Sequence, residues 1–361
     1  MHITIDCRYE SCSGIGRCIR EIVSRLLDYK EHKFTLIMPV NPNAEFQKKC
    51  QGRAELVYSV AKMYSLQAQL ELPRIIPECD LFWAMHYDAP LLPLKARKKM
   101  VTIHDVCHLA LTDEFSALKR LYAKVMLKAV GSRYDQIITV SDFSRREIEK
   151  FVNPKAAIDV IYNGITKIDT PKQFKTDYPY LLCVGNVKPH KNIVRLLEAY
   201  TAYRKQTDTP LKLLIVGQAD GFLTGINNLG EILTAQELKD NCVFTGFVDD
   251  ETLAGLYKNA TAFIFPSLYE GFGLPPLEAM SYGTPVIASD AASLPEVMGD
   301  AALYVNPYNT AEITEAMIKV TTDEAIKEVF IAKGQEQCRK YSWDNTAKKI
   351  MERMEEVNVG E

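Results

Sequence analysis

Short, β-branched apolar runs alternate with amphipathic segments along almost the whole of this 361-residue chain. Runs at 3–6, 34–40, 100–103, 136–140 and 158–162 are followed, after a break, by others at 180–184, 213–216, 243–244, 262–265, 286–288 and 302–305. Helical patterns lie between them. In 17–27, for example, Ile19, Ile22, Val23 and Leu26 share one face at i, i+3, i+4, i+7 spacing. Strand–helix–strand repetition of this kind covers a sheet on both faces, so it predicts an α/β fold of doubly wound parallel sheets. The length favours two such domains over one core. The alternation breaks at 164–179, a polar stretch containing Thr170-Pro171 and Tyr178-Pro179 that reads as the interdomain linker. A domain of 1–165 and another of 166–341 are expected, with a long helical pattern at 343–357 after the last strand.

Composition narrows the class. A hydrophobic share of 47% with 25% charged residues is that of an ordinary globular protein. No apolar run approaches the ~18 residues that a membrane helix needs. The opening Met-His-Ile-Thr-Ile-Asp lacks the basic-then-apolar pattern of a secretory signal. The nine cysteines are an odd number and form no C-x-x-C pair, so neither a disulfide framework nor a zinc site is expected. Reduced cytoplasm is the expected compartment. A net charge of −3 speaks against general nucleic-acid binding. Its distribution is uneven: residues 1–170 carry 25 basic against 20 acidic side chains, the rest 18 against 26.

The segment most informative about chemistry is Phe265-Pro266-Ser267-Leu268-Tyr269-Glu270-Gly271-Phe272-Gly273-Leu274-Pro275-Pro276-Leu277-Glu278. A buried strand runs into a Gly-rich turn, and prolines stand where a helix begins, a position they tolerate. The amides of Phe272, Gly273 and Leu274 then point out of a helix N-terminus and, with its dipole, suit an anion or sugar oxygens. Glu270 in the loop and Glu278, expected in the first helical turn, can accept bonds from two sets of hydroxyls. Dipole complementation is the alternative role for Glu278.

A second phosphate candidate is Gly185-Asn186-Val187-Lys188-Pro189-His190-Lys191-Asn192, again between a strand and an amphipathic helix. Gly185 permits close backbone approach, Lys188 and Lys191 supply point charges, and Asn192 is expected as the helix N-cap. A third is the loop Ser11–Arg17, in which Gly14 and Gly16 would bring bare amides to an anion. Ile19 stands where a dinucleotide fingerprint needs its third glycine, so a nicotinamide enzyme is disfavoured. His104-Asp105 closes a strand, where functional side chains project. His86 is a weaker candidate of the same kind, and a core or capping role is the alternative for both.

In this order the segments resemble the large retaining glycosyltransferase family of GT-B fold commonly called family 4. Its hallmark is a Glu, seven residues, then Glu, here Glu270 and Glu278 in E-G-F-G-L-P-P-L-E. S-G-I-G-R, T-I-H-D, I-T-V-S-D-F-S, Y-N-G-I, G-N-V-K-P-H-K-N and Y-S-W-D-N-T-A support it. The resemblance spans nearly the whole chain. It implies two Rossmann-like domains facing a cleft, with the segment 342–361 packing back on the first. Glu278 would hold the donor's ribose, and Glu270 with the Phe272, Gly273 and Leu274 amides the donor sugar and part of its diphosphate. Lys191 would contact the diphosphate, Gly14 and Gly16 would approach it from the other domain, and His104 would contact the transferred sugar. Many members carry Arg where this chain has Asn186, so the usual two-cation clamp would need Lys188 or Arg17 instead.

The implied reaction moves a hexose from a nucleoside-diphosphate sugar, GDP-mannose or a UDP-hexose, to a glycan or lipid-linked acceptor. Configuration is retained, and no metal or other cofactor is needed; the chain has no D-x-D motif. The acceptor is expected on the first domain. Lys95, Arg97, Lys98 and Lys99, with Lys119, Arg120, Lys124 and Lys128, suggest a basic surface for peripheral contact with anionic lipid, an ordinary solvated face being the alternative. A nucleotide-sugar epimerase, a sugar phosphorylase and a non-catalytic nucleotide-sugar sensor are the rival readings.

Overall fold

The computed structural model describes residues 1–172, 176–217, 234 and 238–359. The chain divides into two compact units, one of Met1–Gly164 with Ser342–Glu361, the other Ile165–Tyr341.

Among the described residues, the first unit is built on a seven-stranded parallel sheet. Its strands are β1 (His2–Asp6), β2 (Lys33–Pro39), β3 (Glu55–Ser59), β4 (Cys79–Ala84), β5 (Ala96–Thr102), β6 (Gln136–Thr139) and β7 (Ala157–Val160). The helices between them are α1 (Ser13–Leu26), α2 (Ala44–Cys50), α3 (Leu66–Ile75), α4 (Cys107–Ala110), α5 (Ala117–Arg133) and α6 (Asp142–Phe151). Strand order is β3-β2-β1-β4-β5-β6-β7. The chain therefore winds one way from β1 and the other way from β4, and the order reverses between those two central strands. Helices leave opposite faces on either side of such a point, so a crevice opens at the strands' carboxyl ends. The centre is dry: Ile3, Ile5, Phe82 and Trp83 are fully buried, and the Trp83 indole donates to Thr102 Oγ1 at 3.0 Å.

The sequence reading passed over β3 and β4. β3 is a half-exposed edge strand with little apolar contrast. The six-residue β4 is too short and too uniformly apolar for periodicity to separate strand from helix.

The last helix of the chain, Trp343–Val359, belongs to this first unit. Arg25 on α1 pairs with Asp344 at 2.5 Å, and Thr346 Oγ1 donates to the Tyr162 carbonyl at 2.7 Å. Gly164 makes the return passage possible, since a Cβ there would stand 2.1 Å from the Trp343 nitrogen.

The second unit has a six-stranded parallel sheet among its described residues, ordered β10-β9-β8-β11-β12-β13. These are β8 (Tyr180–Val184), β9 (Lys212–Val216), β10 (Cys242–Gly246), β11 (Ala262–Phe265), β12 (Val286–Ser289) and β13 (Ala302–Val305). Its helices include α7 (Ile193–Gln206), α8 (Asp250–Asn259), α9 (Leu274–Ser281) and α10 (Leu294–Met298). Here the reversal falls between β8 and β11. Leu181, Leu213, Ile215, Ile264 and Ile287 form the core with Tyr200 and Tyr203 of α7.

Candidate active site

The two most polar sequence motifs emerge side by side at the β8/β11 reversal. After β8, Gly185 (φ 152) turns the chain into a short 3₁₀ turn, Pro189–Lys191. After β11 comes the 266–273 turn. The Leu268 amide donates to the His190 carbonyl at 2.7 Å. Asn192 completes the latch: its Nδ2 donates to the carbonyls of Pro266 at 3.0 Å and Pro307 at 2.7 Å, while Oδ1 accepts from Arg195 at 2.7 Å. Asn192 was expected to cap α7 with its side chain. It stands at the cap position in the left-handed region (φ 59), which Asn tolerates, and spends its amide on joining three loops.

This latch sets Lys191 Nζ 2.6 Å from Glu270 Oε1, with 18% and 14% of the side chains exposed. The ammonium also lies 5.0 Å from the centre of the Phe265 ring. Ser293 Oγ donates to the Glu270 carbonyl at 2.9 Å and fixes the loop backbone. Gly273 precedes α9 at φ 100, a conformation L side chains avoid, and a Cβ there would come within 2.7 Å of Leu294 Cδ2. Pro275 and Pro276 follow Leu274 in the first helical turn and carry no N–H. Phe272 and Leu274 are buried, and the Phe272 ring lies edge-on to Tyr341.

Glu278 was expected in the first turn of this helix. It is the fifth residue of α9 and belongs to the second turn. Dipole complementation fades beyond the first turn, so that role loses its ground. The residue is 5% exposed, and its Oε2 accepts from the Tyr257 hydroxyl at 3.1 Å. Asn186 and Lys188, both half-buried, stand in the β8 loop.

In the first unit, Gly14 and Gly16 are not in a loop. α1 begins at Ser13, so both are helical, and the Gly16 amide donates to the Cys12 carbonyl at 2.5 Å. A Cβ on Gly16 would stand 2.4 Å from the Glu10 carbonyl oxygen, whereas one on Gly14 meets nothing within 4 Å. Gly16 is therefore a packing glycine with its amide engaged. Gly14 is exposed at the helix start.

His104 follows β5 half-buried, and its Nε2–H donates to the Met85 carbonyl at 3.0 Å. That bond fixes the tautomer and makes Nδ1 the ring's acceptor nitrogen. Desolvation lowers the His104 pKa against the smaller opposing effects of that bond and Asp105, which keeps the ring neutral at neutral pH. His86 follows β4 and is structural: its Nδ1 accepts from the Asp88 amide at 3.0 Å and its ring stacks on Tyr9 at 4.5 Å. Burial pushes its pKa well down, helped by His104 and His108.

Sequence reasoning missed Asp88, almost fully buried. It accepts from the Tyr9 hydroxyl at 2.6 Å, the Tyr122 hydroxyl at 2.6 Å and the Tyr64 amide at 2.8 Å. These partners lie 79, 34 and 24 positions away, and no local pattern announces them. The one available signal was position, just past the end of a central strand.

The proposed basic surface resolves into two different features. Lys95 precedes β5, and Arg97, Lys98 and Lys99 lie in it; Arg97 bonds Asn358, and Lys99 covers the Tyr134 ring. On α5, by contrast, Leu118, Leu121 and Val125 are exposed at 77%, 58% and 54% beside exposed Lys119, Lys124 and Lys128. Among the described residues, no helix is long and apolar enough to cross a membrane.

Comparison with known proteins identifies the family and the fold. The family model described as "Glycosyltransferase Family 4" matches residues 12–167, and "Glycosyl transferases group 1" matches residues 165–337. The chain is 30% identical to the O-antigen chain mannosyltransferase B of Escherichia coli, over 92% of this chain and 93% of the relative. Among solved structures, sucrose-phosphate synthase from Thermosynechococcus elongatus superposes with a TM-score of 0.77 at 17% identity, covering 99% of each chain. Anabaena HepE, in a complex with UDP and glucose, superposes at 0.75 and 16% identity, covering 99% of this chain and all of the other. Both likenesses identify the GT-B fold. The chain belongs to the group 1, family 4 glycosyltransferases.

Proposed function

We propose that this glycosyltransferase moves a hexose, with retention and without a metal, from GDP-mannose or a UDP-hexose to a glycan or lipid-linked acceptor in cell-surface polysaccharide synthesis. The observation that carries the reading is the Lys191–Glu270 pair at the β8/β11 reversal, beside the turn that opens α9. The likeness to an O-antigen mannosyltransferase favours mannose and a bacterial surface glycan.

Negative charge grows on the leaving nucleoside diphosphate and positive charge on the sugar. Lys191, assisted by Lys188 and Asn186, receives the diphosphate with the backbone of Phe272, Gly273 and Leu274, so that fixed cation and amides meet the developing charge. Glu270, released from Lys191 by the incoming anion, accepts the donor sugar's hydroxyls. Glu278, aligned by Tyr257, accepts the ribose hydroxyls. His104 presents Nδ1 to a hydroxyl of the transferred sugar, and Gly14 lets the diphosphate approach the start of α1. Glu270 acts as a hydrogen-bond acceptor here and not as the covalent nucleophile of a retaining hydrolase.

The test is a screen of GDP-, UDP- and ADP-sugars by thermal shift and by release of nucleoside diphosphate. A stabilising donor that is cleaved, and cleaved unchanged in EDTA, supports the reading. Interconversion of nucleotide sugars without release would make the chain an epimerase, and binding without turnover a sensor. The exposed Leu118–Leu121–Val125 stripe with its lysines supports peripheral contact with anionic lipid, leaving the chain on the cytoplasmic face of a membrane. Co-sedimentation with liposomes that ignores anionic lipid removes that part.

A further inference from the structure

The first unit carries an aromatic cluster at its own strand-order reversal that the donor chemistry does not use. Tyr9 follows β1, His86 and Tyr87 follow β4, and Tyr122 stands on α5. Tyr64, in the loop after β3, packs against all four, with ring centres at 5.9 Å from Tyr9, 5.6 Å from His86, 6.3 Å from Tyr87 and 6.1 Å from Tyr122. Three of these contacts are edge-on.

Tyr64 itself is unusual in two ways. Its backbone sits at φ 57, in the left-handed region that a bulky residue adopts only under strain. Glycine or asparagine would occupy the site more cheaply. The conformation is held by the bond from its amide to Asp88, which the Tyr9 and Tyr122 hydroxyls fix from the other side. Yet the side chain held at this cost is not core, since Tyr64 is 47% exposed.

Its hydroxyl is equally directed. His86 Nδ1 accepts from the Asp88 amide, so Nε2 carries the ring proton and faces the Tyr64 oxygen at 3.4 Å. The phenol accepts there and keeps its own O–H to donate. The neighbouring Met63, 43% exposed, lies 3.7 Å by its sulfur from Cys12 Sγ, which places the loop beside the start of α1.

We infer that Tyr64 is the platform on which a pyranose of the acceptor stacks, with its hydroxyl donating to a sugar oxygen. A fixed aromatic face against sugar C–H groups, with a donor at its rim, suits an amphipathic ring better than a lipid chain or a free anion. The inference deepens the transferase reading and rests on it.

The probe is methyl α-D-mannopyranoside, observed by saturation-transfer NMR on the full chain without GDP and again with GDP in excess. Wild type and Tyr64→Phe should saturate the ring protons, the latter more weakly. Tyr64→Gly, which adopts φ 57 without strain and so keeps the fold, should lose the signal, as should Tyr64→Asn. Equal saturation in Tyr64→Gly, a signal abolished by GDP, or none in wild type each overturn the platform. Release of nucleoside diphosphate by wild type is measured separately. Its failure with every nucleotide sugar defeats the transferase reading, whereas success with an unaltered Tyr64→Gly signal defeats the platform alone.

Discussion

Lys191 Nζ lies 2.6 Å from Glu270 Oε1, although the two residues are 79 positions apart in the chain. Two separate strand–helix loops are thus bonded to each other through these side chains, and under the proposed function a donor diphosphate would draw Lys191 away. Each partner in effect holds the other's place. Lys191→Ala and Glu270→Ala should each lower transfer by about 100-fold or more with an unchanged circular dichroism spectrum. Exchanging the charges, Lys191→Glu with Glu270→Lys, restores a pair but should not restore transfer. Wild-type rates in both single variants would contradict the assignment.

Glu278 and Tyr257 should separate in their effects. Glu278→Gln weakens acceptance from ribose hydroxyls, so the donor KM should rise about 10-fold with kcat less affected. Tyr257→Phe removes only the hydroxyl that aligns Glu278 and should produce a smaller shift in the same direction. A kcat loss without a change in donor KM would place Glu278 at the reacting centre instead.

The two glycines of α1 make opposite predictions. Gly16→Ala forces a methyl against the Glu10 carbonyl and should destabilise the fold by about 1–3 kcal/mol in urea titration. Gly14→Ala meets nothing in the structure, gains helix propensity and should be as stable as wild type or more so, by up to ~1 kcal/mol. If Gly14 admits the diphosphate, that stable variant should nonetheless lose donor affinity.

Stability should depend on pH through His86 and His104. Both have pKa values lowered from 6.5 by desolvation, so below about that pH the unfolded chain binds protons that the folded chain refuses. Their contribution is therefore constant above pH 6.5 and declines as pH falls through the lowered folded values. Urea midpoints measured between about pH 8 and pH 5 should be flat and then fall. His86→Phe should reduce the slope.

Most of the architecture was readable because buried parallel strands are apolar on both faces, and β1, β8 and β11 announce themselves as such. The Gly-rich turn before α9 was readable for a related reason, since prolines and glycines have few permitted positions. What escaped depends on distance in the chain. Asp88 is defined by three tyrosine contacts from other elements, and Asn192 by carbonyls 74 and 115 residues away. The placing of Glu278 in the first turn failed by a residue or two of helix boundary, and that of Gly14 and Gly16 in a loop by four, since α1 begins at Ser13; local propensity rarely fixes such ends.

The claim on which the account rests is that the β8 and β11 loops receive a sugar diphosphate. Crystals soaked with GDP-mannose and with UDP-hexoses test it directly. The account predicts density for the diphosphate against Lys191 and the Gly273–Leu274 backbone, with the Lys191–Glu270 bond opened and the ribose on Glu278. A nucleotide bound elsewhere, with that ion pair closed, would contradict it.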